Sequence, residues 1–252
     1  MRMVRAQLSV ALVLGLLVLL VLAPLVEGAP SKGFRIDLGA RSDYVAQTNL
    51  VQCVGASMQM MLNMMHKGAD RSAATQLKLQ RLARSWSGPR RDGRERQGAS
   101  VRGWAAGLNL MGAGPYKVVG ERTIQAALLT AARAMRETKK PVGLLVWRGR
   151  HAWVMSGFTA TRDPRLKGAR VTSVIVEDPL YPHGGSSVWG RSPAPGSTLT
   201  VAQLGRQFVR RRQSSNNPAL SNKYVVVLPF EFNDPLLRLR LIRRDVGATG
   251  RP

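Results

Sequence analysis

Cysteine occurs once in this 252-residue chain, at position 53, and histidine three times, at 66, 151 and 183. A single thiol cannot close an internal disulfide, so the stability of the fold has to come from packing. With no second cysteine and the histidines scattered, no His/Cys/Asp group stands at ligand spacing; a structural zinc site is excluded, and no metal or cofactor is expected. Acidic residues are scarce too. Fourteen Asp and Glu face 38 Lys and Arg, giving a net charge of +24 that attracts polyanions. Aromatics make up 6% of the chain. They are too few around its basic clusters (Arg81 to Arg102, Arg206 to Arg212, Arg238 to Arg244) to build the interleaved stacking surface that single-stranded nucleic acid needs.

Arg2 and Arg5 precede an uncharged apolar run from Ala6 to Val26, and Glu27-Gly28-Ala29 supplies small residues that suit a signal peptidase. Residues 1–29 are therefore expected to be a signal peptide or, uncleaved, an N-terminal membrane anchor, because the run is long enough to span a bilayer. In both cases the arginines stay in the cytoplasm, and the body is secreted or held in the cell envelope. Residues 30–235 read as one domain with one full core, and residues 236–252 as a basic tail.

Residues 30–50 show little periodicity and read as an extended lead-in. Met58, Met61, Leu62 and Met65 recur at helical spacing, which predicts a buried helix from Cys53 that stops at Gly68. Asp70 is the expected cap of a second helix through Leu79, Leu82 and Trp86, and residues 87–99, rich in Gly, Pro and Arg, read as an exposed loop. Further helices are expected over Val101–Leu110 and, after an N-cap at Thr123, along Ile124, Leu128, Ala131 and Met135 until Pro141. The texture then turns to β. Val142–Trp147, Ala152–Phe158 and Val171–Val176 are short β-branched and aromatic runs that read as an antiparallel meander. Residues 179–198 hold too many Pro and Gly for regular structure. Val201, Leu204 and Phe208 suggest one more helix, and Tyr224–Leu228 a last strand. Helices first and strands second predict an α+β fold.

A thiol at a helix start meets free N–H groups and the positive end of the helix dipole, the setting of a cysteine nucleophile. Such a nucleophile needs a base, a group that orients the base, and donors for an oxyanion. His151 heads one predicted strand and Asp178 follows the next. If the loop 161–170 closes a hairpin, antiparallel pairing sets residue 151 opposite residue 178. Glu177 is the rival carboxylate, since a one-residue slip of register would exchange the two faces. Gln47, six residues before Cys53, carries an amide that can donate to an oxyanion beside the Cys53 N–H.

Gln47, Cys53 at a helix start, His151 in His-Ala-Trp-Val-Met-Ser-Gly-Phe, and Asp178-Pro179 after the following strand together resemble the papain-like cysteine peptidases. Within that superfamily the pattern is similar to the bacterial branch of bacteriocin (double-glycine) leader peptidases and related secreted leader-peptidase-like proteins. The resemblance covers roughly residues 43–66 and 141–180. It implies a papain-like fold, with an N-terminal helical part whose nucleophile helix packs on a C-terminal antiparallel sheet. It also implies roles: Cys53 as nucleophile, His151 as general base and then acid, Asp178 as the orienting group, and Gln47 as oxyanion donor. Where members commonly continue Cys-Gly-Pro, this chain has Cys53-Val54-Gly55-Ala56, so a different substrate cleft is expected.

Plainer roles exist for the neighbouring residues. A free cysteine is often inert core; His66 reads as a surface helix end, and His183 as a remote second base. Trp147 and Trp153 read as sheet residues, with Trp153 placed to shield the base from water, and Trp189 as a substrate contact. The function expected from these residues is an exported thiol hydrolase that cleaves peptide or amide bonds through a Cys53 thioester, with charge favouring acidic substrates. The alternative is a non-catalytic module of the same fold whose basic surface grips anionic envelope polymers, a phospholipid surface or a partner protein. Nucleic acid is not an expected partner of an exported chain. Leu236–Arg244 reads as an amphipathic strand or membrane-surface segment.

Overall fold

The computed structural model describes residues 33–231, apart from 67, 90–93, 95 and 214–216. The expected leader over 1–29 and the tail over 236–252, with Leu236–Arg244, lie outside the described residues. Within them are five helices, α1 (Cys53–His66), α2 (Ala73–Ser85), α3 (Val101–Leu110), α4 (Ile124–Thr138) and α5 (Val201–Gly205). The strands are β1 (Phe34–Asp37), β2 (Tyr116–Glu121), β3 (Val142–Val146), β4 (His151–Ala160), β5 (Val171–Glu177), β6 (Gly185–Ser186), β7 (Gly190–Arg191), β8 (Ser197–Thr200) and β9 (Tyr224–Pro229).

Helix starts follow local capping chemistry. The Thr123 hydroxyl accepts the Ala126 N–H at 3.1 Å, and Ser100 does the same for Gly103 at 3.2 Å. For α2 the cap is Ser72, which accepts the Thr75 N–H, and not the expected Asp70. Asp70 sits two residues earlier and accepts instead from the Ser72 N–H, the Thr75 hydroxyl and the Gln59 amide. Its negative charge still lies beside the helix start, so one position was exchanged for another with the same electrostatic sense. The helix expected to run through Phe208 ends at Gly205 after five residues, and Phe208 is buried beyond it.

The main sheet runs β2-β9-β3-β4-β5-β8, every pairing among the described residues is antiparallel, and the expected meander is its β3-β4-β5 centre. β1 pairs with Gly157–Ala160 of β4, continuing the ladder on the edge that β3 leaves after Met155. Three strands correct the sequence reading: β1 lies in the stretch read as a lead-in, β2 falls between α3 and α4, and β8 closes the Pro/Gly-rich stretch, which also holds the small β6-β7 hairpin. Helices therefore do not all precede strands, but the chain is a mixed helix and sheet fold with a largely antiparallel sheet, compatible with α+β.

Alternation along the strands builds two cores. Leu144, Val146, Trp153, Met155, Val226 and Leu228 pack with Leu128, Ala131 and Met135 of α4. Their neighbours Ala152, Val154, Val225 and Val227 turn the other way and pack with Met58 and Met61 of α1, Leu79 of α2 and Trp104 of α3. The methionine stripe is thus core, as its spacing predicts. Gly55 lets α2 lie directly on α1, since a Cβ there would meet the Gln76 carbonyl oxygen at 2.7 Å. No described helix is long and apolar enough to cross a membrane.

Candidate active site

Cys53 is the first residue of α1 and is half-buried. Its helix is anchored to β4 by Met58 and Met61 and by the Ser57 hydroxyl, which donates to the Ala152 carbonyl at 3.3 Å. The loop before it is held from α2 by two glutamines one helical turn apart. Gln76 accepts the Thr48 N–H at 2.8 Å and donates to the Ala46 carbonyl at 2.9 Å. Gln80 accepts the Gly55 N–H at 2.9 Å, one of the free donors in the first turn of α1, and donates to the Val51 carbonyl at 2.9 Å. Both glutamines are buried. Neither carries a sequence signal, because a buried amide has no marker until its backbone partner is known.

His151 opens β4 and is 5% exposed. Its Nε2 lies 2.7 Å from Asp178 Oδ1, leaving Nδ1 for another partner. Asp178 is fully buried, and both of its oxygens are occupied. Oδ1 also accepts the Leu180 N–H at 2.9 Å, and Oδ2 accepts the Ser192 hydroxyl. The Tyr44 hydroxyl lies against the carbonyls of Asp178 and Tyr181, bracing the same turn. With a side chain locked on three sides, Asp178 can hold the His151 ring in one orientation and one tautomer.

The ring bears the mark of its neighbours. Burial pulls the His151 pKa down, but hydrogen bonds to Asp178 and Cys53, followed by the charges of Cys53 and Asp178, outweigh it and push the value up to about 9. The imidazole is therefore charged at neutral pH, beside the sulfur. Trp147 stacks on it with ring centroids 4.3 Å apart. The shield expected from Trp153 is supplied by Trp147, because Trp153 is fully buried in the core under α4.

The carboxylate on the imidazole is Asp178, but by a register other than the one expected. Val154 pairs with Glu177, and continuing that ladder sets Asp178 across from Trp153, two residues from His151. A displacement by two keeps every side chain on its face, so Asp178 reaches His151 as a diagonal neighbour. Glu177 points to the other face, where Oε1 accepts the Ser156 hydroxyl and Oε2 the Gly196 N–H, each at 2.9 Å. Burial raises the Glu177 pKa to about 7, with the charges of Asp37 and Asp43 adding to the rise and those two hydrogen bonds opposing it.

Gln47 is buried, and its N–H donates to the Pro179 carbonyl at 2.7 Å, which ties the Cys53 loop to the Asp178 turn. Its Nε2 donates to the Asn49 carbonyl at 2.8 Å, and one amide hydrogen remains. Gln47 is thus brought beside the Asp178-Pro179 turn with part of its donor capacity already used. His183 is exposed in the loop after Asp178 and His66 is exposed at the end of α1; neither has a described contact with Asp178. Ser192, Leu180 and Tyr44, which fix Asp178, come from stretches that read as irregular and gave no sequence signal. No group of three or more His, Cys, Asp or Glu able to hold a metal ion is found among the described residues.

No protein-family model matches the chain, and no curated protein matches it. The chemistry open to the arrangement follows from its own atoms: a sulfur at a helix start, an imidazole whose pKa that sulfur helps to raise, and a buried carboxylate on Nε2 of the ring.

Proposed function

We propose that the protein is a thiol hydrolase of papain type that cleaves peptide or amide bonds by acyl transfer through Cys53. The observation that carries this reading is the His151 imidazole, held by the Asp178 carboxylate at 2.7 Å and raised in pKa by both Asp178 and the Cys53 side chain. A merely structural histidine has no need of a fully buried acid on one nitrogen and a thiol close enough to shift its protonation.

In this mechanism the Cys53 sulfur, as thiolate, attacks the carbonyl carbon, and the negative charge passes to the carbonyl oxygen. The Cys53 N–H and the remaining amide hydrogen of Gln47 are the donors available to that oxygen. The His151 imidazolium gives its Nδ1 proton to the leaving nitrogen, the C–N bond breaks, and a thioester remains on Cys53. The now neutral imidazole takes a proton from water, whose oxygen attacks the thioester and releases the acid and the thiol. Asp178 holds the ring throughout without changing its own proton.

The order Gln47, Cys53, His151, Asp178, and α1 packed on β4 of an antiparallel sheet, support the papain-like fold and the kinship with leader-peptidase-like proteins. The apolar run of residues 6–26 supports export to the envelope or beyond. A mixed peptide library digested by the wild-type chain and by Cys53→Ala tests the reading. Cleavage and a mass increment on Cys53 are expected from the wild type alone, and cleavage that survives in Cys53→Ala contradicts it.

A further inference from the structure

Next to the imidazole lies a second feature that catalysis does not use. The turn from β3 to β4 places Trp147 and Arg148 in succession at φ 55°, followed by Gly149 at φ 93°. Two consecutive non-glycine residues in the left-handed region are strained, and the surroundings must impose them. Segment 207–212 does so. The Gln207 carbonyl accepts the Trp147 N–H at 2.9 Å, the Gln207 side chain accepts the Trp147 indole N–H at 2.8 Å, and the Arg148 carbonyl accepts the Arg212 N–H at 3.2 Å. The turn thus stacks Trp147 on His151, and the next residue, Arg148, lines a cavity of about 580 Å³ with Arg210, Arg211, Arg212, Asn222 and Tyr224.

Among the described residues four arginines line this cavity and no acid does. None of the four has an ion-pair partner among the described residues. They are held in place by neutral groups: Arg148 over the Trp189 ring and Arg210 over the Tyr224 ring, each at 5.9 Å. Arg211 is the most telling. Its stem packs against Gly149, where a Cβ would meet Arg211 Cγ at 3.0 Å, and its Nη1 is buried with no hydrogen-bond partner among the described residues. Burial, and after it the charge of Arg96, act against its charged form. A buried guanidinium nitrogen left unpaired among like charges carries its full desolvation cost. An anion in the cavity removes that cost.

We propose that this cavity is the substrate's anion subsite: it takes a peptide carboxylate, and the hydrolase acts on peptides that are acidic beside the scissile bond. The assignment rests on the proposed hydrolase reading for its function but on the arginine geometry for its existence. The carboxylate has two sources, an internal Asp or Glu side chain or the peptide's own C-terminus. Size favours a peptide group over a lone small ion, since the volume falls in the range of pockets that hold several residues' worth of atoms. The position fits as well, because Trp147, which covers His151, adjoins Arg148 in the chain.

The test uses the full chain with Cys53→Ala, so that nothing is consumed, and fluorescence anisotropy at fixed ionic strength with three labelled hexapeptides: one with two internal Glu and an amidated end, one neutral with a free C-terminal acid, and one neutral and amidated. At least one of the first two is expected to bind about tenfold tighter than the third, and which one identifies the source of the carboxylate. Adding Arg148→Gln and Arg211→Gln is expected to abolish the preference. Adding Arg162→Gln and Arg170→Gln, in the β4-β5 loop roughly 30 Å away along β4, removes the same charge and is expected to leave the preference intact. Equal binding of all three peptides, binding of none, or an equal loss from the two double variants overturns the subsite. A preference that stands while the wild type cleaves none of the three contradicts the hydrolase reading and keeps the site. Cleavage indifferent to Glu, to the terminal acid and to Arg148 and Arg211 does the reverse.

Discussion

Replacing Glu177 by Gln separates the two neighbouring carboxylates and gives a pH-dependent signal whose sign is fixed. Glu177 is 5% exposed and its pKa rises from 4.5 to about 7 on folding. An acid with a raised folded pKa binds more protons in the native than in the unfolded state between those values, so stability is full below pH 4.5 and is lost as pH rises through 7. At about 1.4 kcal/mol per pH unit the loss reaches about 3 kcal/mol above pH 7. Glutamine carries no charge to desolvate. Its oxygen can keep the Gly196 N–H, and its amide can donate to the Ser156 hydroxyl, which turns to the Ile175 carbonyl 3.5 Å away. Urea unfolding of both proteins at pH 4.5, 6 and 8 is the assay. The variant should match the wild type at pH 4.5 and exceed it by about 3 kcal/mol at pH 8, equivalent to roughly 6–12 °C in melting temperature for a domain of this size. Because Glu177 faces away from His151, alkylation of Cys53 should not change. A gap that is the same at all three pH values, or a wild type that is the more stable at pH 8, refutes the burial argument; slowed alkylation refutes the assignment of the two faces.

The imidazole and the loop that carries the thiol give further measurable effects. NMR titration of His151 should give a pKa near 9 in the wild type and a value below 6.5 in Cys53→Ala/Asp178→Asn, where burial acts alone; in the wild type the stability from this pairing is full below pH 6.5 and is lost as pH rises through about 9. Gln80→Ala strands the Gly55 N–H and the Val51 carbonyl and should cost about 2–4 kcal/mol in chemical unfolding, with activity falling more than in a variant of equal stability loss far from α1. Ser192→Ala leaves Asp178 Oδ2 without its partner at a fully buried site and should cost about 1–3 kcal/mol, measured the same way.

How far the fold was legible depended on whether local chemistry or long-range pairing set each part. The N-cap at Thr123, the helix Val101–Leu110 and the methionine face of α1 are local, and they emerged with the expected bounds. β1 and β8, with four residues each, are too short to display a period, and β2 is defined by its pairing with β9, more than a hundred residues along the chain. The meeting of His151 with Asp178 was expected from a symmetrical hairpin, yet the β4-β5 ladder carries two irregularities, at Ser156 and Thr172, and a shifted turn. The expectation survived because the displacement is even, which preserves faces. An odd one would have delivered Glu177. The residues that position the site act at a distance in sequence, Gln76, Gln80 and Tyr44 on backbone groups and Ser192 on the Asp178 carboxylate, and no spacing rule points to them.

Activation of Cys53 by His151 underlies the proposed chemistry. Because Cys53 is the only cysteine, the rate at which iodoacetamide modifies the folded chain at pH 6.5, read by intact mass, reports on that sulfur alone. A charged imidazole beside it predicts that His151→Ala slows the reaction about tenfold or more. Equal rates in the wild type and in a folded His151→Ala protein would contradict activation of the thiol by the imidazole.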